Sequence, residues 1–196
     1  MRIIITRHGE TEENRAGIIQ GHLPGVLSDL GKEQARRLAN RLKDEDIDLI
    51  VSSDLARALD TAKAVGKFHD DIDLTLDERL RERCFKEFEG KSKKDLGIPE
   101  GVKFVDYFGD KDIESNDEIF SRVKKLIKEV SAGDNKSILL VGHMGVCKFI
   151  ISSLLDRSME DLKELKLKNT SVSIFDIEGN RVETELLNCV RHLDED

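Results

Sequence analysis

A chain of 196 residues is long enough to bury one sizeable core and short for two domains. Its formal net charge of −8 argues against nucleic acid or an anionic membrane as the main partner. No apolar stretch is long enough to span a bilayer, and Met1 leads directly into a strand-like run, so neither a membrane span nor a secretory leader is expected.

The first predicted element is the run Ile3-Ile4-Ile5, which reads as a strand buried on both faces, as in parallel sheets. Such a strand delivers the next residues to the carboxyl edge of the sheet, where open α/β folds place their ligands. Those residues are Arg7-His8-Gly9-Glu10-Thr11. Guanidinium plus imidazole is chemistry for an anion, phosphate first, and Gly9 is expected to let the backbone come close to it. A turn-rich loop, Gln20-Gly21-His22-Leu23-Pro24-Gly25, leads to a helix capped by Ser28 and running to about Lys43, with Ala35, Leu38, Ala39 and Leu42 on one face. Ile47 to Val51 is a second buried strand. Ser53 or Asp54 is expected to cap the next helix, which runs through Phe68 and holds Arg57 in or near its first turn.

Ile72, Leu74 and Leu76 alternate with polar residues and predict a short edge strand. From Lys91 to Ser115 the pattern loosens around Phe104, Tyr107 and Phe108. Two readings stand, a lid or insertion over about 91–115 and a surface loop tucking its aromatics into the core. Ser115 with Glu118 resembles a capping box before a helix bearing Ile119, Val123, Leu126 and Val130, ended by Gly133. A strand through Ile138-Leu139-Leu140 then repeats the first arrangement with Val141-Gly142-His143-Met144-Gly145, before an apolar helix carrying Val146, Phe149, Ile150 and Leu154. Thr170 to Ile177, the turn Glu178-Gly179-Asn180, and Val182 to Leu187 read as a closing hairpin. The expected fold is α/β: a three-layer α/β/α sandwich with a mostly parallel central sheet and a C-terminal hairpin, in a single domain over 1–196.

Three strand-end sites thus carry the same chemistry. If the two histidine-bearing strands are neighbours, Arg7, His8, Arg57 and His143 can form one positively charged cup. With these residues, the sequence resembles the histidine phosphatase superfamily, which includes phosphoglycerate mutases and fructose-2,6-bisphosphatases. The matching stretches are Arg7 to Thr11 with Asn14, Leu27 to Ala35, Ser52 to Ala62, Leu80-Arg81-Glu82-Arg83 through Glu89-Gly90, and Gly142-His143, in the family's order. Met144 and Lys86 depart from it where glycine is common, and Pro24 where an aspartate is usual. The resemblance implies that His8 is the nucleophile that becomes phosphohistidine and that Arg7, Arg57 and His143 hold the phosphoryl oxygens. It further implies that Asn14 assists and that Glu82 is the general acid. Gln20 is a further candidate substrate-binding residue. His22, His69 and His192 are assigned no role, and Lys91, Lys93 and Lys94 read as a solvated run.

This chemistry requires His8 unprotonated on one ring nitrogen, with a hydrogen bond to a nearby carbonyl fixing the other. It needs no cofactor and no metal, since two arginines offering forked donors and two histidines can neutralise a phosphate dianion. The expected reaction is metal-independent hydrolysis of a small phosphorylated metabolite, by a cytoplasmic enzyme for which a homodimer stays open. Cys84, Cys147 and Cys189 fit that compartment, being far apart with no zinc spacing and no redox pair. A mutase is the main alternative. Against it stand the short chain and Gln20, where such mutases usually carry a small hydroxyl residue. A non-catalytic phospho-ligand sensor is a third reading. A fourth is the Asp-x-Asp-x-Thr motif of magnesium-dependent phosphatases, matched by Asp71 to Thr75. That motif should leave a long apolar strand, and here it comes after Lys67-Phe68-His69.

Overall fold

Three consecutive isoleucines cannot share a single buried face, because successive side chains of a strand point to opposite sides. A computed structural model, describing residues 1–196 except 70, 103, 110, 111, 180, 195 and 196, resolves this by covering the sheet on both faces. The elements in order are β1 (Arg2–Arg7), α1 (Glu12–Arg15), α2 (Asp29–Leu42), β2 (Leu49–Ser52), α3 (Ala56–Gly66) and β3 (Leu74–Leu76). Next come α4 (Phe104–Phe108), α5 (Asn116–Ala132), β4 (Ser137–Gly142), α6 (Met144–Leu155), β5 (Val172–Glu178) and β6 (Arg181–Cys189). The sheet order is β3-β2-β4-β1-β5-β6. The first four strands are parallel, and β5 and β6 add an antiparallel pair beside β1.

Ile3 and Ile5 join a core with Ile138, Leu140, Val123, Leu126, Phe149 and Ile150, against α5 and α6. Ile4 turns the other way, to Leu139, Val141, Leu38, Leu42, Ala58 and Val65, against α2 and α3. The three-layer α/β/α sandwich is therefore the observed architecture. Its consequence for function lies between β1 and β4, which pair in register from Arg2↔Ser137 to Arg7↔Gly142. The chain leaves β1 toward the α2 face and leaves β4 toward the α6 face. Adjacent strands whose connections part to opposite faces leave a crevice at their carboxyl ends.

Several boundaries differ from the sequence expectation. The N-cap of α3 is Leu55, without a side-chain cap, instead of Ser53 or Asp54. Ser53 Oγ does accept from Leu55 N at 3.3 Å, but Ser53 stands two residues ahead of the N-cap, too early to cap the helix. The edge strand β3 holds only Leu74–Leu76, leaving Ile72 outside it. Thr170 is no strand residue, since its φ of 53° lies in the left-handed region. The hairpin joins β5 to β6 after Glu178 and Gly179, while Asn180 of the expected turn lies outside the described residues. The two capping motifs at Ser28 and Ser115 are present, the second as a full box with Glu118.

The 91–115 stretch contributes a third, smaller cluster. Ile98, Phe104 and Ile113 bury against Ile19, with Phe85 and Phe88 packed alongside. Phe104 is T-stacked with both of those phenylalanines, at 5.2 and 4.8 Å. Tyr107 and Phe108 keep 48% and 44% exposure, so only part of this aromatic group is tucked in. Among the described residues, no helix is long and apolar enough to cross a membrane.

Candidate active site

His8 and His143 each come directly after the last residue of a paired strand, which fixes their approach. His8 N donates to Gly142 O at 3.0 Å, and the two rings lie 5.1 Å apart, tilted by 57°. Both side chains are buried. His8 Nδ1 lies 2.6 Å from Gly9 O. A carbonyl oxygen only accepts, so the hydrogen of neutral His8 sits on Nδ1 and the lone pair on Nε2. Burial, then the charges of Arg7 and Arg57, hold the His8 imidazole well below its ordinary range. Burial, then Arg57, His8, Arg7 and Arg122, do the same to His143. Both rings are therefore neutral at pH 7.

Arg57 stands in the first turn of α3 with its guanidinium fully enclosed. Nη2 donates to Gly21 O at 2.8 Å, and Nη1 donates to Pro24 O at 3.1 Å and to Leu23 O. The loop after α1 is thus wrapped on the arginine, and burial pushes Arg57 down to about 10. Arg7 Nη1 donates to Leu167 O at 2.9 Å, and burial also lowers this arginine. Both terminal nitrogens of Arg57 are thus taken up by backbone carbonyls, so this guanidinium does not present its terminal pair as a free fork, whereas the carbonyl contact of Arg7 engages Nη1 alone. Arg7 Nε, Arg57 Nε and His143 Nδ1 are buried and have no hydrogen-bond partner among the described residues. Buried polar nitrogens of this kind are normally hydrogen-bonded, so each of the three is open to a partner from outside the chain.

Glu82 sits at the start of α6. Its Oε2 accepts from Gly145 N at 3.1 Å and its Oε1 from Arg83 N at 2.9 Å. A side chain at position 145 would meet Glu82 Oε1 at 2.2 Å, so glycine makes room for the carboxylate. The Glu82 charge opposes the lowering of both Arg7 and Arg57. Asn14 belongs to the α1 capping box, its Oδ1 accepting from Thr11 N at 3.3 Å. Gln20 is buried with Oε1 unpartnered, and a side chain at Gly25 would touch both that oxygen and Arg57 Cδ. At Gly9 a side chain would strike Gly31 O at 2.5 Å, so this glycine also serves the packing of the β1 loop on α2. Asp71, the first residue of the Asp-x-Asp-x-Thr match, lies at the opposite end of the sheet, in a groove with Asp48 and Asp134 ahead of β2 and β4.

Other residues secure the site without having been singled out in the sequence. Thr61 Oγ1 accepts from Gly9 N at 3.1 Å and donates to Arg57 O at 2.8 Å. Asn169 Nδ2 donates to His8 O, and Thr170 N to Arg7 O, each at 2.9 Å. The left-handed backbone of Thr170, a β-branched residue, stores strain of about 1–3 kcal/mol where Arg7 and His8 are held. Ser53 and Thr61 could have been suspected as small hydroxyl residues beside Arg57. Asn169-Thr170 offers only turn chemistry, with no signal of its target.

The histidine phosphatase superfamily (branch 1) model matches residues 3–190. Phosphoglycerate mutase-like protein 4 of Arabidopsis thaliana is 34% identical over 206 residues, covering 98% of this chain and 87% of the relative. The adenosylcobalamin/alpha-ribazole phosphatase of Salmonella typhi is 32% identical, with 90% and 91% of the two chains covered. Among solved structures, Bacillus stearothermophilus YhfR aligns at a TM-score of 0.88 and 25% identity, covering 98% of this chain and 99% of that one. The chain belongs to the histidine phosphatase superfamily.

Proposed function

We propose that this chain, a phosphoric monoester hydrolase of the histidine phosphatase type, hydrolyses small phosphomonoesters without a metal through a phosphohistidine on His8. The observation that carries the reading is the neutral His8 ring, its hydrogen held on Nδ1, beside three buried nitrogens that lack partners. The lone pair of Nε2 attacks phosphorus while the bond to the leaving oxygen breaks. Arg7 Nε, Arg57 Nε and His143 Nδ1 donate to the phosphoryl oxygens, whose charge is the main thing to be stabilised. Glu82, entering the cycle as the carboxylic acid, gives its proton to the departing alkoxide, and the carboxylate left behind takes a proton from the water that attacks the phosphohistidine, which restores the acid. Phosphate leaves and His8 returns to its first state. Asn14 and Gln20 extend the substrate contacts from the α1 side. Three unpaired thiols support a reducing, cytoplasmic setting.

Rapid quench with labelled substrate is expected to give an acid-labile, alkali-stable phosphoenzyme that is absent in His8→Ala. Label retained on that variant, or loss of activity on chelation with recovery on adding magnesium, would overturn the reading. The mutase alternative is kept alive by the name of the Arabidopsis relative. Interconversion of 2- and 3-phosphoglycerate faster than phosphate release would make it the better one. A phosphomonoester panel scored by released phosphate identifies the preferred substrate.

A further inference from the structure

The His143 ring has two chemically different edges. Nδ1, the nitrogen assigned above to the phosphoryl group, is buried and has no partner among the described residues, while Nε2 lies 2.9 Å from Ser53 Oγ. Both residues are fully buried, so neither contact is shared with solvent. A neutral imidazole carries one hydrogen, and which nitrogen holds it decides whether Nδ1 offers a donor or a lone pair. A lone pair facing phosphoryl oxygens is repulsive, whereas an N–H adds a donor beside Arg7 and Arg57.

Ser53 resolves the choice through its own hydrogen bonds. Its Oγ accepts from Leu55 N at 3.3 Å, so its hydroxyl hydrogen must find an acceptor elsewhere. Among the described residues, His143 Nε2 is the acceptor found within hydrogen-bond distance. Ser53 is held in place by β2, with its N donating to Val141 O at 2.9 Å on the strand that delivers His143. A hydroxyl that donates to Nε2 leaves the ring hydrogen on Nδ1. We infer that Ser53 is a positioning residue that holds His143 in the tautomer whose Nδ1–H faces the phosphoryl group. The relay runs from Leu55 N–H to Ser53 Oγ–H to His143 Nε2, with Nδ1–H free for the ligand. Its catalytic consequence rests on the phosphatase reading, but the tautomer itself is a property of the resting protein.

The test is imidazole ¹⁵N correlation spectroscopy on the ligand-free protein, with His143 assigned through the loss of its signals in His143→Gln. The wild type is expected to show the hydrogen on Nδ1 of His143. Ser53→Ala should shift population toward Nε2–H and slow single-turnover phosphorylation of His8 by about 10- to 100-fold, less than outright removal of a donor. Ser53→Thr keeps the hydroxyl and should restore both readouts. An Nε2–H tautomer in the wild type, or an unchanged tautomer in Ser53→Ala, would overturn the inference. Should a variant fail to fold, the wild-type spectrum alone still decides the tautomer. Failure of the phosphatase reading would appear separately, as a missing phosphoenzyme in an otherwise Nδ1-protonated wild type.

Discussion

Glu82 shows how a side chain's partners decide what a substitution can test. Both of its oxygens accept from backbone N–H groups, those of Arg83 and Gly145. In Glu82→Gln one of these oxygens becomes an amide that can only donate, so the variant loses an acceptor as well as the transferable proton. The leaving group separates the two losses. A displaced contact slows every substrate alike, whereas a missing proton matters for strongly basic alkoxides and little for p-nitrophenolate. We expect phosphorylation of His8 by alkyl phosphates to fall about 10²–10⁴-fold in Glu82→Gln, and by p-nitrophenyl phosphate far less. Single-turnover rates for the two substrates check this. Equal losses would mean that Glu82 acts through position alone.

At the scale of elements, the cup depends on how closely the loops pack between strand and helix. The β1 loop crosses the start of α2 with almost no space, and a side chain on Gly31 would lie 1.9 Å from Glu10 O. Backbone cannot yield as a flexible side chain does. Gly31→Ala is therefore expected to destabilise by about 1–3 kcal/mol or more, as overpacking does, and to lower activity through the displaced His8 loop. Denaturant unfolding tracked by circular dichroism measures the first effect, and the kcat of the folded fraction the second. Glu89 staples the other side. Its Oε1 accepts from His22 N at 3.0 Å and Phe85 N at 2.9 Å, tying the loop that wraps Arg57 to the segment carrying Glu82. His22, given no role in the sequence, adds to this staple with Nε2 2.9 Å from Glu82 O. Lys86, where the family favours glycine, has a φ of 49°, the left-handed geometry that glycine adopts without strain. Nothing in the structure explains Met144 at its own departure from the pattern.

For the whole molecule, two buried neutral histidines make folding sensitive to acid. In the unfolded chain they titrate near about 6.5, while in the folded protein both are held well below that value. Between those limits the unfolded state binds more protons, so stability is fully present above about 6.5 and is lost as pH falls. Each histidine contributes a slope of about 1.4 kcal/mol per pH unit in that window. Denaturant midpoints at pH 7.5, 6 and 5 should decline steadily. The decline should be shallower in His8→Ala, which removes one of the two groups, and an identical decline there would contradict the account. Circular dichroism is the suitable probe, because the chain has no tryptophan and one tyrosine.

The sequence by itself determined the layers, the strand ends and the chemistry at each of them. Uninterrupted runs such as Ile3-Ile4-Ile5 and Ile138-Leu139-Leu140 have only one stable setting, a sheet covered on both faces, and the residues after them must emerge at its edge. Capping at Ser28 and Ser115 was legible because it depends on neighbours a few residues away. Only the tertiary structure decided the strand order that sets β1 beside β4 and brings His8 to His143. That order comes from packing between segments more than a hundred residues apart. The same holds for the partners that tune the cup: Leu167 on Arg7, the Gly21 to Pro24 carbonyls on Arg57, and Ser53 on His143. Local pattern carries burial and helix caps, because these depend on period and spacing. Hydrogen bonds between distant loops depend on where the finished core leaves each backbone carbonyl, and no local pattern encodes that.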